Sequence, residues 1–329
     1  LSFGQAASTL AIAEVGNQLG MFDQNVVNAA VLAIVVTAFV TSLSTRWFAR
    51  RVPPPAAEQR PLGEQVLLDT RTTGSDHLAL VDLAARLARR DDGVVRPFGV
   101  ASGSLDAARA DVERSAEVAA ALGQDAEGVV RVDDSFVAAT IGLTTETEAS
   151  AIVLDWNGRN WAADLMLGNE IDGIGGASPV PTIAAHIVRP WRRVIVQLRS
   201  PATAWQLDDA ELAVSVALAA RGDDVALVVL GDAPDEVLGA FPELAEDARL
   251  AVIVDADEQQ DRLDRLEADD LVVTPAHAIR SLSPLRAARV LRRLQDTNVV
   301  VVGGPHRLTL TQGAAHRRLS PTVGPAAAV

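Results

Sequence analysis

After residue 61 the chain alternates short apolar segments with longer amphipathic ones, and this rhythm restricts the possible folds more than any other feature. "EQVLLDT" has the length and composition of a buried strand. "SDHLALVDLAARLARR" follows, with Leu78, Val81, Leu83, Ala84 and Leu87 spaced for the apolar face of a helix. "VVRPFGVA", "GVVRVD", "SAIVLDW" and "TIAAHIV" read as further strands. Helical patterns separate them: "LDAARADVERSAEVAAALG", "FVAATIGLTTETEA" and "ADLMLGNEIDGIGG". Five strands with crossover helices between Glu64 and Val188 predict a parallel sheet covered on both faces.

After Trp191 the series begins again. "RRVIVQLRS", "DVALVVLG", "RLAVIVDAD", "DLVVTP" and "NVVVVGG" repeat the strand order, and helical stretches such as "DAELAVSVALAARG" lie between them. A period of about 125 residues is expected for a duplicated α/β domain. Gln312–Val329, rich in Ala, Pro and Gly, reads as a disordered tail.

The part ahead of this series is different. Val26–Leu43 holds eighteen residues without a charge, and about 20 residues of helix span a hydrocarbon layer of roughly 30 Å. Arg46, Arg50 and Arg51 follow, which places that end on the cytoplasmic side by the positive-inside rule. The alternative is a buried helix of a soluble domain. Leu1–Phe22 is a second, weaker apolar segment with Gly4, Ala6, Ala7, Ser8 and Ala11 suited to close helix contact, and with Glu14 inside it. A helix of that kind needs neighbours, so further transmembrane helices upstream are expected. The chain starts on Leu with no basic segment ahead of the apolar run, which argues against a signal peptide. Arg50–Pro61 is a stiff, Pro-rich connector.

Composition closes several routes. A net charge of −14 argues against a nucleic-acid partner. With no Cys, disulfides and thiolate metal sites are excluded. All 29 basic residues are Arg, so a catalytic Lys is excluded and each Arg carries less meaning than usual. The five histidines show no ligand spacing, and no metal site is expected. No G-x-S-x-G elbow is present, which disfavours that type of hydrolase.

Two resemblances sharpen these expectations. "SFGQAASTLAIAEVGNQLGMFDQNVVNAAVLAIVVTAFVTSLSTRWFARR" resembles the end of the membrane part of a bacterial monovalent cation/proton antiporter of the sodium/hydrogen exchanger superfamily. The resemblance rests on Gln-Ala-Ala-x-Thr-Leu-Ala, Val-Gly, Leu-Gly-Met-Phe-Asp and the closing Arg-x-x-Ala-Arg-Arg. It implies a full-length membrane protein that exchanges Na+ or K+ for H+. The ion-binding carboxylates of such antiporters lie on earlier helices, so no transport residue is assigned in this chain.

Each of the two later series resembles the universal stress protein fold, a five-stranded parallel sheet flanked by helices. That family carries Gly-x-x-Gly, nine residues, then Gly-Ser or Gly-Thr after its fourth strand. Here the matching stretch is Asp155-Trp-Asn-Gly158, nine residues, then Gly168-Asn169. Gly158 would let a backbone approach a phosphate, and Gly168 with Asn169 would supply donors. Asp155 replaces the first Gly, and a carboxylate about 4 Å from a phosphate costs roughly 4 kcal/mol near a surface. Arg159 could offset this with its guanidinium fork. Asp69, at the end of the first strand, stands where the family often has a carboxylate near the adenosine. Two readings stay open for the loop: binding of ATP or another adenine nucleotide, or a loop kept for its shape. In the second series Pro275 sits at the turn and no Gly follows, so that copy is expected to be structural and degenerate. Trp156 and Trp161 flank the loop, with core packing the favoured role.

The expected organisation is therefore 1–49 as final transmembrane helices, 50–61 as linker, 62–190 and 191–311 as tandem universal-stress-like domains, and 312–329 as tail. The expected role is regulatory and not enzymatic, with the residues after about 46 cytoplasmic at the cell membrane. The lipid bilayer and a second copy in a homodimer are the expected partners. Weak ATPase activity in the first domain is a further alternative. Another is a free-standing universal stress protein tethered to the membrane and binding a nucleotide.

Overall fold

A computed structural model describes residues 15–16, 19–21, 23, 25–26, 28–29 and 31–32 of the opening segment. Beyond it, residues 60–71, 75–101, 103–156, 170–198, 203–222, 225–230, 251–253, 266–280, 297–306 and 308 are described. The chain divides into two compact units, Leu1–Gln59 and Arg60–Val329.

In the first unit, helical residues lie on either side of a turn at 19–21, where Gly20 takes a φ of 70°. Asp23 starts the second helical stretch: its Oδ1 accepts from the Val26 N–H at 3.0 Å, the bond of an N-cap. Val15, Leu19, Met21, Val31 and Leu32 are all exposed. Among the described residues no helix is long and apolar enough to cross a membrane. Most of the Val26–Leu43 stretch lies outside the described residues, as does Glu14.

The second unit is built on one ten-stranded sheet in the order β3-β2-β1-β4-β5-β10-β9-β6-β7-β8. Its strands are β1 (Gln65–Asp69), β2 (Val94–Ala101), β3 (Val129–Val132), β4 (Ala151–Asp155), β5 (Thr182–His186), β6 (Arg193–Gln197), β7 (Ala226–Leu230), β8 (Ala251–Ile253), β9 (Asp270–Pro275) and β10 (Asn298–Gly303). Within β1–β5, and again within β6–β10, every pairing is parallel and the spatial order is third, second, first, fourth, fifth. The two halves meet at a single antiparallel seam, with Val299 opposite His186 and Gly303 opposite Thr182.

Among the described residues the helices are α1 (His77–Arg90), α2 (Leu105–Ala121), α3 (Phe136–Glu146), α4 (Glu170–Ala177), α5 (Ala204–Arg221) and the short α6 (Ala276–Arg280). Three of them start where the sequence places an oxygen-bearing cap. Asp76, Ser104 and Ser135 each accept from the N–H three residues on, at 3.1, 3.3 and 3.2 Å. In α1 the buried positions are Ala79, Leu80, Val81, Leu83, Ala84, Ala85, Leu87 and Ala88. Leu78, expected on that face, is exposed instead. At 100° per residue it points away from Leu80, and the first turn can leave it in solvent at little cost.

Strand alternation sorts the core into faces. Val66, Leu68 and Val153 point to one side, where they share a cluster with α1, α5 and residues from both halves, including Val196, Leu227, Val273 and Val300. Leu67, Ile152 and Leu154 point to the other, against Phe98, Leu143 and Ile174. The joint between the halves has polar fastenings as well. The carbonyls at the C-terminus of α5 lack helical partners. Trp191 Nε1 donates to Ala220 O at 3.0 Å, and Arg86 Nη1 donates to the same oxygen at 3.3 Å. Asn298 Oδ1 accepts from the N–H groups of Val188 and Arg189 as the chain leaves β5. At Gly175 the approach is so close that a Cβ would lie 2.5 Å from Leu308 Cβ.

Leu83→Ala opens a hole in the cluster that both halves share. A loss of about 3 kcal/mol is expected. Urea unfolding followed by far-UV circular dichroism and by Trp fluorescence should give one coincident transition, shifted to lower urea. Two separate transitions would show that the halves unfold independently.

Candidate functional site

In an open parallel sheet, ligands bind outside the carboxyl ends of the strands, at the point where the strand order reverses. In the first half that point lies between β1 and β4, which are hydrogen-bonded neighbours. Both strands end on an aspartate, Asp69 and Asp155, and both residues are buried, with relative exposures of 2% and 6%.

Each carboxylate has its own set of donors. Asp69 Oδ1 accepts from the Arg71 backbone N–H at 3.0 Å and from Arg71 Nε at 3.3 Å, while Oδ2 accepts from Nη2 at 3.3 Å. Arg71 Nη1 reaches on to Glu170 Oε2 at 3.0 Å, at the start of α4. The guanidinium sits over Phe136, its Cζ 3.1 Å from the ring centre, and Phe136 stacks on Phe98 at 5.8 Å. A cation on an aromatic face adds roughly 0.5–2 kcal/mol. Asp155 Oδ1 accepts from the N–H of Ser75 at 3.2 Å. Ser75 Oγ donates to Ala185 O and accepts from the Ile187 N–H, so the entry to α1 is tied to β5.

Burial pushes the Asp69 carboxyl up to about 6; Arg71 pulls it back down without compensating, and the nearby Asp155 adds to the rise. Burial works against the Arg71 cation too, but Asp69 and Glu170 outweigh it and hold its pKa above the ordinary arginine value. Among the described residues, Asp69, Asp155 and Glu170 against Arg71 give three carboxyl groups to one cation at the crevice.

Of the sequence-predicted residues, Asp69 and Asp155 thus end neighbouring strands. Gly158, Arg159, Gly168 and Asn169 lie outside the described residues, as does Trp161. Trp156 is buried in a cluster with Ala184, Val272, Val299 and Val301, so it packs across the seam. Its carbonyl lies 2.8 Å from His186 Nδ1. Arg71 was not among the predicted residues. Its signal is visible in retrospect: an Arg two residues past a strand-end Asp can fold back on that carboxylate. Among the described residues no group of three His, Asp or Glu could hold a metal ion.

The second half presents a different surface at the same place. Where β1 and β4 end on Asp69 and Asp155, β6 and β9 end on Gln197 and Pro275. Pro275 is the last residue of its strand and not a turn residue. The pairing of β9 with β6 has stopped at Val273, so the missing N–H removes no bond on that side. A buried pair lies near this end, with Asp209 Oδ1 accepting from the Gly304 N–H at 2.9 Å and Oδ2 3.8 Å from His277 Nδ1. Among the described residues, neither β6 nor β9 ends on a carboxylate that could meet a ligand.

Sheet order and crevice together define an α/β protein of the doubly wound type. No family model matches the chain. It is similar to the Na(+)/H(+) antiporter NhaS5 of Synechocystis sp., with 22% identity over 240 residues, 61% of this chain and 34% of that protein. The chain thus spans about a third of the length of the curated relative it matches. In fold it is similar to a functionally unknown protein of Pseudomonas aeruginosa PAO1, with a TM-score of 0.51, 16% identity, and coverage of 78% of this chain and 96% of that one. A universal stress protein of Archaeoglobus fulgidus gives a TM-score of 0.49 at 14% identity, over 74% of this chain and 97% of its own.

The raised Asp69 has a consequence for stability. A carboxyl with a higher pKa folded than unfolded favours the folded state below its unfolded value of 3.8. That contribution is lost as pH rises through about 6. Ionised, Asp69 costs about 3 kcal/mol relative to an unperturbed carboxylate. Asp69→Asn should therefore stabilise the protein by roughly 1–3 kcal/mol at about pH 8 and by nothing at about pH 4. Urea midpoints at the two pH values check this, and equal shifts at both would contradict it.

Proposed function

We propose that the chain is the C-terminal regulatory portion of a monovalent cation/proton antiporter. Its opening segment belongs to a membrane bundle, and residues 62–190 and 191–311 form tandem universal-stress-like domains on the cytoplasmic side. The similarity to the Synechocystis antiporter over 240 residues carries this reading. The exposed Val15, Leu19, Met21, Val31 and Leu32 fit it, because such side chains need lipid or further helices around them. The first domain would sense an adenine nucleotide at the β1–β4 crevice, and the second would serve as its structural partner. The crevice where β1 and β4 end is the position at which such a sheet takes its ligand, and Arg71 together with the backbone around Gly158 and Gly168 would face its phosphate. Regulation then follows from differential binding: a nucleotide shifts transport only by its preference for one conformation of the cytoplasmic part over the other. Catalysis is not part of the proposal.

Calorimetric titration of the chain with ATP, ADP, AMP and cyclic AMP tests the sensing role. At least one should bind with a Kd below about 1 mM, equivalent to roughly 4 kcal/mol. If none binds at millimolar concentration, the nucleotide is withdrawn. The genomic sequence ahead of Leu1 tests the antiporter reading: about ten in-frame apolar segments long enough to span a bilayer support it. A start codon near Leu1 would favour a tethered stress protein instead.

A further inference from the structure

All three nitrogens of the Arg71 guanidinium donate to carboxylates. Nε and Nη2 are held by Asp69 and Nη1 by Glu170, so a single side chain joins the end of β1 to the start of α4 across the crevice. Its carboxylate partner on β1 lies underneath: the Asp69 side chain is 1% exposed, whereas Arg71 is 37% exposed. Phe136 supports the guanidinium plane from α3, and Phe98 supports Phe136 from β2. The charged groups facing Asp69 are Arg71 from its own strand end, Asp155 from β4 and, through Arg71, Glu170 from α4. The neighbouring side chains from β2 and α3 in this stack are uncharged rings.

We propose that Arg71 is a proton-released latch: with Asp69 ionised the guanidinium is clamped between two carboxylates, and protonation of Asp69 frees one side of it for a phosphate-bearing ligand. This deepens the nucleotide reading above and rests on it for the identity of the ligand. The clamp explains why an anion is disfavoured in the closed state. Two carboxylates already use the donor fork, and Asp155 adds a third negative group close to Asp69. Taking up one proton on Asp69 removes a charge from that set and leaves Arg71 over Phe136, still attached to Glu170, with its Nε–Nη2 edge released to turn from the buried carboxyl toward an entering phosphate. A guanidinium placed in advance on a ring loses little freedom when it meets a phosphate. Glu170 keeps the cation at the crevice in both states. The Asp69 carboxyl titrates near 6, which sets the pH at which the latch opens.

Cyclic AMP is the appropriate probe, because its phosphodiester keeps one charge throughout this range. Its affinity for the chain should be roughly tenfold higher at about pH 5 than at about pH 7.5. Asp69→Asn should bind tightly at both pH values, and Arg71→Met weakly at both. A wild-type affinity independent of pH, or a pH dependence that survives in Asp69→Asn, overturns the latch. If cyclic AMP binds at neither pH, the nucleotide reading fails separately, and the latch is then judged without ligand. The Asp69 carboxyl carbon and Arg71 Nε signals in nuclear magnetic resonance should titrate together with a midpoint near 6. Independent titration, or none in that range, overturns the proposal.

Discussion

Each half-sheet, taken alone, would present the outer edge of its fifth strand to solvent. β10, buried along its whole length as Asn298-Val-Val-Val-Val-Gly303, cannot be left with open N–H and C=O groups there. The antiparallel pairing of β10 with β5 satisfies them and fuses two parallel series into one sheet. Much else follows from that seam. It brings α1 beside α5, lets Arg86 and Trp191 satisfy the end of α5, and places Trp156 against residues of the second half. It also fixes the two crevices on opposite sides of the seam, one ending in two aspartates and the other in Gln197 and Pro275.

The carboxylate pair shows how the fold makes a site from ordinary residues. Asp69 and Asp155 are far apart in sequence and become neighbours only because β1 pairs with β4. Parallel neighbours end together, so whatever closes each strand is gathered at one rim. Asp155 accepts from the Ser75 amide, which ties one of its oxygens into the fold. Asp69 is covered by Arg71. The resulting site holds its negative groups in internal bonds and does not offer them bare to the ligand.

Much of the sheet was legible in the residues. The apolar strands and their helical crossovers were readable because buried parallel strands are short apolar runs and α1 carries a clear helical period. The single sheet was not, since nothing in "NVVVVGG" or "TIAAHIV" states that the two will pair antiparallel. Leu78 misled because spacing alone does not say how far the first turn of a helix reaches into the core. Pro275 misled because proline punctuates turns in general and is tolerated at the end of a strand, here past the last residue of β9 that pairs with β6. At the site, the resemblance to universal stress proteins pointed to Asp69 and Asp155. Arg71 escaped notice because in a chain whose 29 basic residues are all Arg, no single one stands out. Its role depends on Glu170 and Phe136, which are remote in sequence and come together only in the fold.

The central claim is that a nucleotide enters at the β1–β4 rim of the first half and leaves the corresponding rim of the second half alone. Hydrogen exchange of the whole chain, with and without a saturating adenine nucleotide, addresses it most directly. The account predicts slowed exchange in residues 69–76 and 151–156, and unchanged exchange in 195–198 and 272–278. Protection at the ends of β6 and β9 instead, or no protection at either rim, would contradict it.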